Sequence, residues 1–389
     1  MPWSATGREL SIAYVTGFNP FSYRRPLFAK KAIPFLKVYA SPDALKRVKA
    51  LYPIVVSPVF KLAKVESIFS KRSRSGGDYY ITALLHDALN STYLGSVAAD
   101  AVIALNPYLG SKRIWDDHAV IIDWMDVWMW PWDEINPLDI RAVEEAEGVI
   151  FWSRPMMEVI SRRIKIRRSV YVPHGIDFSS FNPSKFGKPD YFKRKNSLNG
   201  RFIFFYSGGL WRVEGIDLQG TDKMLKAFAY ANNKVQKAVL VLQISRIDTQ
   251  TYRLIHKLKV HGKIKLIGAL PYASFERQSA FAAADVLLAP TSRHPVAYYA
   301  ERIKLFQYMA ASKAIIAERS PGALSALGGS ALYVNLDDVE GLADSMVELY
   351  FNKELRGELS VRARERAKLF EWEKLAPVYR DFVLSTVNR

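Results

Sequence analysis

Short runs of consecutive apolar residues recur through this chain, and helical patterns rather than tight turns separate several of them. The first is Leu10–Val15, closed by Gly17; Ile54–Val56, Ala101–Leu105, Ala119–Ile122 and Gly148–Phe151 follow. A strand with no polar face is buried on both sides. Strands joined through helices run parallel, so the pattern calls for a parallel sheet covered on both faces. The series closes near Val170–Pro173. A polar, basic stretch with Lys185, Lys188, Lys193, Arg194 and Lys195 comes next, and the series restarts at Arg201–Tyr206. Further strands are predicted at Ala238–Gln243, Ile264–Ile267, Val286–Ala289 and Ala314–Ala317, with terminal helices at Gly341–Phe351 and Glu354–Phe370. The chain therefore reads as α/β, with two doubly wound Rossmann-like domains facing each other across a cleft. Its expected parts are 1–180 as the first domain, 181–200 as a linker, 201–370 as the second domain, and 371–389 as a C-terminal helix free to cross back to the first. Ligands of such folds bind at the carboxyl ends of the strands.

Composition agrees. At 389 residues the chain exceeds one ordinary core. Its 49% hydrophobic and 24% charged residues exclude a disordered, collagen-like or coiled-coil protein. No run approaches the roughly 18 uninterrupted apolar residues of a membrane-spanning helix. The opening Met1–Gly7 lacks the layout of a signal peptide. With no Cys there is no disulfide framework, thiol nucleophile or thiolate zinc site. A cytoplasmic location is the simplest fit.

Charge narrows the partners. Lys+Arg 55 against Asp+Glu 38 gives +17, and between Phe21 and Ser75 thirteen basic residues face only Asp43 and Glu66. Such a field suits anionic lipid, a phosphorylated substrate or nucleic acid. Interleaved with Leu45, Val48, Leu51, Phe60, Leu62, Val65 and Phe69, it reads either as a solvated surface or as a helix lying on an anionic membrane. The partner set adopted includes that membrane surface and excludes nucleic acid.

Several residues could carry chemistry. Gly208 and Gly209 follow a buried strand, where glycine lets backbone approach a phosphate or simply makes a tight turn, and Arg212 adds charge nearby. Lys304 opens a helical segment, where an ammonium and backbone amides can share a phosphate. No P-loop ending and no Gly-x-Gly-x-x-Gly occurs, which argues against ATP hydrolysis and ordinary dinucleotide binding. Asp123 and Asp126 lie at and beyond a buried strand, each as a base or a helix cap. Five Trp fall between Trp115 and Trp132. Their flat faces suit sugar rings, membrane interfaces or core packing; Trp124 and Trp128 are taken as acceptor contacts. The His residues lack metal-ligand spacing, and no metal or other cofactor is expected.

The run Lys304-Leu305-Phe306-Gln307-Tyr308-Met309-Ala310-Ala311-Ser312-Lys313-Ala314-Ile315-Ile316-Ala317 resembles the donor-site helix and next strand of GT-B glycosyltransferases of the group 1, family 4 type, commonly K-L-x-E-Y-M-A-A-G-x-P-V-I-A. Val172–Asp177 with Phe181 resembles their V-P-N-G-V-D…F segment, Gln219–Phe228 their K-G-x-D-x-L-L-x-A-F, and Ala282–Thr291 their A-D-V-x-L-x-P-S. The matches span roughly 170–320 in the family's order. The resemblance implies a GT-B fold and transfer of a sugar from a nucleotide donor, UDP- or GDP-linked, to a saccharide or lipid-linked acceptor. It places Gly208, Gly209, Arg212, Arg302, Lys304 and Gln307 around the donor and its diphosphate. Two departures stand out: the retaining Glu-x7-Glu pair falls on Tyr299 and Gln307, and the Lys before G-x-D is Gln219. Lys304–Tyr308 is also similar to K-L-L-Q-Y of the inverting glucuronosyltransferase of xanthan synthesis, which by that resemblance makes Asp126 the catalytic base. Retaining and inverting routes both stay open. The rivals are a catalytically inactive GT-B saccharide binder, a nucleotide-sugar epimerase of the same architecture and a nonspecific nucleic-acid binder.

Overall fold

A computed structural model describes residues 10–15, 24–39, 99–107, 115, 117–125, 135, 137–213 and 215–388. The expected strand at Ile54–Val56, the base candidate Asp126, the acceptor candidate Trp128 and most of the Phe21–Ser75 basic run lie outside them. The described residues fall into two compact units, Met1–Pro173 with Trp372–Arg389, and His174–Glu371. No helix among them is long and apolar enough to cross a membrane.

The first unit runs β1 (Ile12–Val15), α1 (Arg24–Ala32), β2 (Lys37–Tyr39), β3 (Ala101–Leu105), β4 (Ala119–Trp124), α2 (Pro137–Glu145), β5 (Gly148–Phe151), α3 (Arg154–Ser161) and β6 (Ser169–Tyr171). Its six strands pair in the order β2-β1-β3-β4-β5-β6, all parallel.

The second unit begins with α4 (Pro183–Phe186) and α5 (Pro189–Lys195). These replace the expected linker. Prolines open both helices, Phe192 is buried, and Asn182 and Lys188 donate their backbone N–H to Gln278 and Ser279. The charges that read as a linker are the solvated side of these helices. Next come β7 (Phe202–Ser207), a short ribbon of β8 (Arg212–Val213) and β9 (Ile216–Asp217), α6 (Thr221–Ala231), β10 (Ala238–Gln243), α7 (Thr249–Lys257), β11 (Ile264–Ile267), α8 (Phe275–Ala283), β12 (Val286–Ala289), α9 (Pro295–Tyr298), α10 (Ile303–Ala310), β13 (Ala314–Glu318), α11 (Pro321–Leu327), β14 (Leu332–Val334), α12 (Val339–Phe351) and α13 (Lys353–Ala367). The sheet order is β11-β10-β7-β12-β13-β14, again all parallel.

Alternation explains the apolar runs. Ile203 and Phe205 of β7 join one core with Val239, Val241, Leu287 and Ile315, while Phe204 and Tyr206 join the opposite core with Leu240, Leu242, Val286 and Ile316. Successive side chains leave opposite faces, and helices cover both. Truncating a Phe in such a core costs about 3–5 kcal/mol.

The final helix, α14 (Trp372–Val387), belongs to the first unit, where Trp372 and Tyr379 pack edge-on against Phe28 of α1. Beneath them lies a buried ion pair. Asp123, at the end of β4, accepts from Arg25 Nε and Nη2 at 2.9 Å each, from the Tyr14 hydroxyl at 2.9 Å, from Trp152 Nε1 and from the Tyr379 hydroxyl at 3.3 Å. Arg25 also donates to the Val172 and Pro173 carbonyls and is enclosed by the rings of Phe28, Trp152 and Tyr379. Burial, then the Asp123 carboxylate, push the Tyr14 and Tyr379 phenols well above the ordinary range.

This hub corrects two expectations. Asp123 is neither base nor cap; every hydrogen-bond site it has faces a buried donor. Arg24 and Arg25, counted in the basic run, are buried rather than displayed. Of the other described members, Lys30 donates to the Leu36 carbonyl and Lys31 pairs with Glu373.

Candidate functional site

The second unit gathers polar side chains at the carboxyl ends of its central strands. The sequence puts them there through Tyr308, whose hydroxyl accepts from the Ser207 N–H at 2.9 Å and donates to the Leu288 carbonyl at 3.1 Å. That phenol ties α10 to the ends of β7 and β12, while Leu305, Phe306 and Met309 of α10 are buried in the core. The entry to α10 is thereby fixed beside the loop after β7. Arg302 stands at its N-cap with extended backbone and no side-chain cap, and no acidic residue lies in the first turn. The first amides of a helix lack intrahelical partners and carry its positive end, so this entry favours an anion.

Lys304 occupies the first turn of α10. Its ammonium donates to Gln219 Oε1 at 2.8 Å and to the Tyr206 hydroxyl at 3.2 Å, and sits 4.3 Å from the centre of the Tyr206 ring. Burial, then the Arg302 guanidinium, hold it well below the ordinary lysine range; Asp217 pulls the other way. Arg302 donates to the same Gln219 oxygen at 2.7 Å and to the Leu218 carbonyl at 2.8 Å. Gly208 faces this group. A Cβ there would stand 2.8 Å from the Tyr206 oxygen and 3.1 Å from Lys304 Nζ, so only glycine leaves both in place. Gly209 follows, its carbonyl accepting from Tyr206 at 3.0 Å. A shallow cavity beside them is lined by Thr291, Ala297, Ala300, Arg302, Lys304 and Ser320.

Gln307 is buried rather than on the helix surface. Its Oε1 accepts from Arg277 Nη2 at 2.8 Å; the same nitrogen reaches Ser207 Oγ at 3.3 Å, and Ser207 donates to Gln243 at 2.9 Å. Together these residues line the ends of β7 and β10 with amides, a hydroxyl and a guanidinium.

Arg212 does not join them. It forms a two-pronged pair with Asp222, at 2.6 and 2.9 Å, and adds Thr251 Oγ1 at 3.0 Å and Asp248 at 3.5 Å. A guanidinium matched to two carboxylates has little charge to offer a phosphate. The Gly-x-Asp segment is also structural in part: Gly220 has φ +70°, and a Cβ on it would meet the Thr291 carbonyl at 2.5 Å. Asp217 caps α6 by accepting from Thr221 Oγ1 and the Asp222 N–H at 2.8 Å each.

In the first unit Trp124 is buried and stacks on Phe151 at 5.6 Å, leaving no face for a sugar. Trp115 is likewise buried, edge-on to His118. His294 caps α9 by accepting from the Val296 N–H. Among the described residues, no group of three His, Asp or Glu could hold a metal ion.

Sequence reasoning missed Tyr206, Arg277 and the role of Gln219. Tyr206 ends a Phe-rich strand and reads as core; Arg277 sits in an ordinary amphipathic helix. Gln219 was visible only as a departure.

The family of glycosyl transferases group 1 matches residues 201–352. No curated protein sequence matches the chain. Among solved structures, HepE of Anabaena in complex with UDP-glucose superposes with a TM-score of 0.71 at 13% identity, covering 97% of this chain and 100% of that one. A glycosyltransferase from Rickettsia africae gives 0.68 at 14% identity, covering 98% and 99%. The α,α-trehalose 6-phosphate synthase of Burkholderia multivorans gives 0.66 at 12%, covering 97% and 98%. At these identities the likeness speaks to the fold, which is GT-B over nearly the whole length. Residues 201–352 carry the match to group 1 glycosyl transferases, and the fold they sit in is GT-B.

Proposed function

We propose that this chain is a glycosyltransferase that takes its sugar from a UDP- or GDP-linked donor whose diphosphate binds at the entry to α10, and passes it to a saccharide or lipid-linked acceptor at an anionic membrane surface. The observation that carries the donor half is the pairing of Lys304 and Arg302 at an uncapped helix start, both held on a neutral amide. As the glycosidic bond breaks, negative charge grows on the departing diphosphate. Fixed cations and helix amides stabilise that charge more than they stabilise the intact donor, which is what accelerates the step. HepE bound to UDP-glucose, and a UDP-forming trehalose-phosphate synthase among the structural neighbours, favour uridine over the other bases.

On the inverting route Asp126 takes the proton of the attacking hydroxyl, a role worth about 10²–10⁴ in rate. Gln307, in place of a carboxylate, supports that route over the retaining one. The membrane half rests on the basic residues of Phe21–Ser75 other than the buried Arg24 and Arg25. The test is calorimetric binding of UDP-, GDP-, ADP- and dTDP-sugars, followed by the anomeric configuration of the transfer product by NMR. Binding of none overturns the donor reading; a product that keeps the donor's configuration overturns the inverting route. Retention on neutral vesicles equal to that on anionic ones, or on neither, overturns the membrane half.

A further inference from the structure

Gln219 holds an unusual position. Its Oε1 accepts from two cations at once, Arg302 Nη1 at 2.7 Å and Lys304 Nζ at 2.8 Å, with the Tyr206 hydroxyl 3.4 Å away. Lysine and arginine only donate, so the amide must turn its oxygen to them. Its backbone is fixed as well. The Gln219 N–H donates to Asp217 Oδ1 at 3.0 Å, and Gly220 beyond it closes onto the Thr291 backbone. Arg302 is anchored from its other nitrogen by the Leu218 carbonyl.

Two like charges drawn to one atom repel, and proteins ordinarily settle such a pair with a carboxylate. That solution also cancels the field an anionic ligand needs. An amide oxygen accepts both hydrogen bonds and cancels neither charge. Resting on the donor reading above, we propose that Gln219 is a positioning residue: a neutral clamp that holds Lys304 and Arg302 together as a seat for a nucleoside diphosphate, its lack of charge setting the affinity of that seat. Among the described residues, the charged and titratable groups around the clamp include Arg302, Asp217 of β9, and the buried phenols Tyr206 of β7 and Tyr308 of α10.

Gln219→Glu tests the idea, because it keeps the size and both hydrogen bonds and adds only a charge. The full chain and the variant are titrated with UDP and with uridine, alongside thermal unfolding. Expected is a fall of about tenfold or more in UDP affinity, unchanged uridine affinity, and a Tm that holds or rises. The alkaline limit of UDP binding should also move to higher pH, since a carboxylate beside Lys304 favours its protonated form. Gln219→Met removes the acceptor without adding charge and should weaken UDP several-fold through lost positioning. Undiminished UDP affinity in Gln219→Glu overturns the inference alone. So does a lowered Tm with affinity intact, the signature of a merely structural glutamine. A wild-type protein that binds none of UDP, GDP, ADP or dTDP overturns the donor reading, and the clamp with it.

Discussion

Replacing Lys304 by Ala should separate binding from folding. Its side-chain nitrogen hydrogen-bonds a phenol and an amide and sits over an aromatic ring, and burial, then a neighbouring guanidinium, oppose its charge. A bound diphosphate would reverse that balance, since charge-assisted hydrogen bonds contribute about 1.5–3 kcal/mol. The variant is expected to bind UDP roughly 10- to 150-fold more weakly. Because the folded value is depressed below the unfolded one, folding favours the neutral amine. This group's stability contribution is therefore present at high pH and lost as pH falls through the depressed value. Burial makes the charge a cost to the fold, so Lys304→Ala should not lower Tm. Ligand and proton are linked in turn: the free protein loses affinity as pH rises through the depressed value, while the bound diphosphate raises it. Between the two values binding takes up a proton. Calorimetry in buffers of different ionisation enthalpy measures that uptake, which should vanish in the variant. Unchanged affinity in a folded Lys304→Ala protein, or an uptake that survives the substitution, would refute the reasoning.

Two further expectations concern stability in the first unit. Asp123→Asn leaves Arg25 buried without its counter-charge and replaces one acceptor oxygen of the hub by an N–H2 that Arg25 cannot accept; the loss should be about 3–5 kcal/mol, read as an earlier urea transition, and an unchanged midpoint would remove the hub from the fold's essentials. Asp139, buried in the first turn of α2, has its carboxyl pushed up to about 7 by burial. A raised value means this contribution is full below the unfolded carboxyl range near 4 and is lost as pH rises through about 7. Asp139→Asn should therefore gain on the order of 2–4 kcal/mol over the parent at pH 8 and far less at pH 5, and equal urea midpoints at pH 8 would contradict it.

The central strands of the second unit were legible because they are buried on both faces. Ala238–Gln243, Ile264–Ile267 and Val286–Ala289 are apolar from end to end, or nearly so, and fall where the runs predict. Leu332–Val334 was not marked, being a three-residue edge strand with too few positions to show a pattern. The helices at 183–195 were hidden by their lysines, since a helix that buries only one narrow stripe looks like a loop in composition. Lys304 was legible as a cation at a helix start. Arg212 misled for a plain reason: charge and nearness to Gly-Gly mark a candidate, but Asp222 and Asp248 lie 10 and 36 residues along the sequence, and pairing is decided by the fold. Asp123 misled similarly, its partners Tyr14, Arg25, Trp152 and Tyr379 being spread across the whole first unit.

Gln307 brings these threads to one position. The retaining pattern puts a carboxylate there, and the sequence alone leaves open whether the amide serves the ligand or decorates a helix. In the fold Arg277, a pure donor, takes one lone pair of Oε1 and fixes the amide's orientation, so its N–H groups are the donors it can offer a bound nucleotide sugar. Gln307→Glu would exchange that donor for an acceptor and, at 2.8 Å from the guanidinium, create an ion pair with Arg277. The pair should hold or raise Tm. If the N–H contacts the nucleotide's ribose or sugar, the same change loses one hydrogen bond and sets a carboxylate near hydroxyls that can turn to meet it, so UDP-sugar affinity should fall by about 1 kcal/mol, roughly fivefold. If Gln307 serves Arg277 alone, affinity stays and only Tm moves. Measuring both in one variant decides between them: a raised Tm with undiminished affinity for the UDP-sugar takes Gln307 out of the donor site and leaves Lys304 and Arg302, on their neutral clamp, to hold the diphosphate.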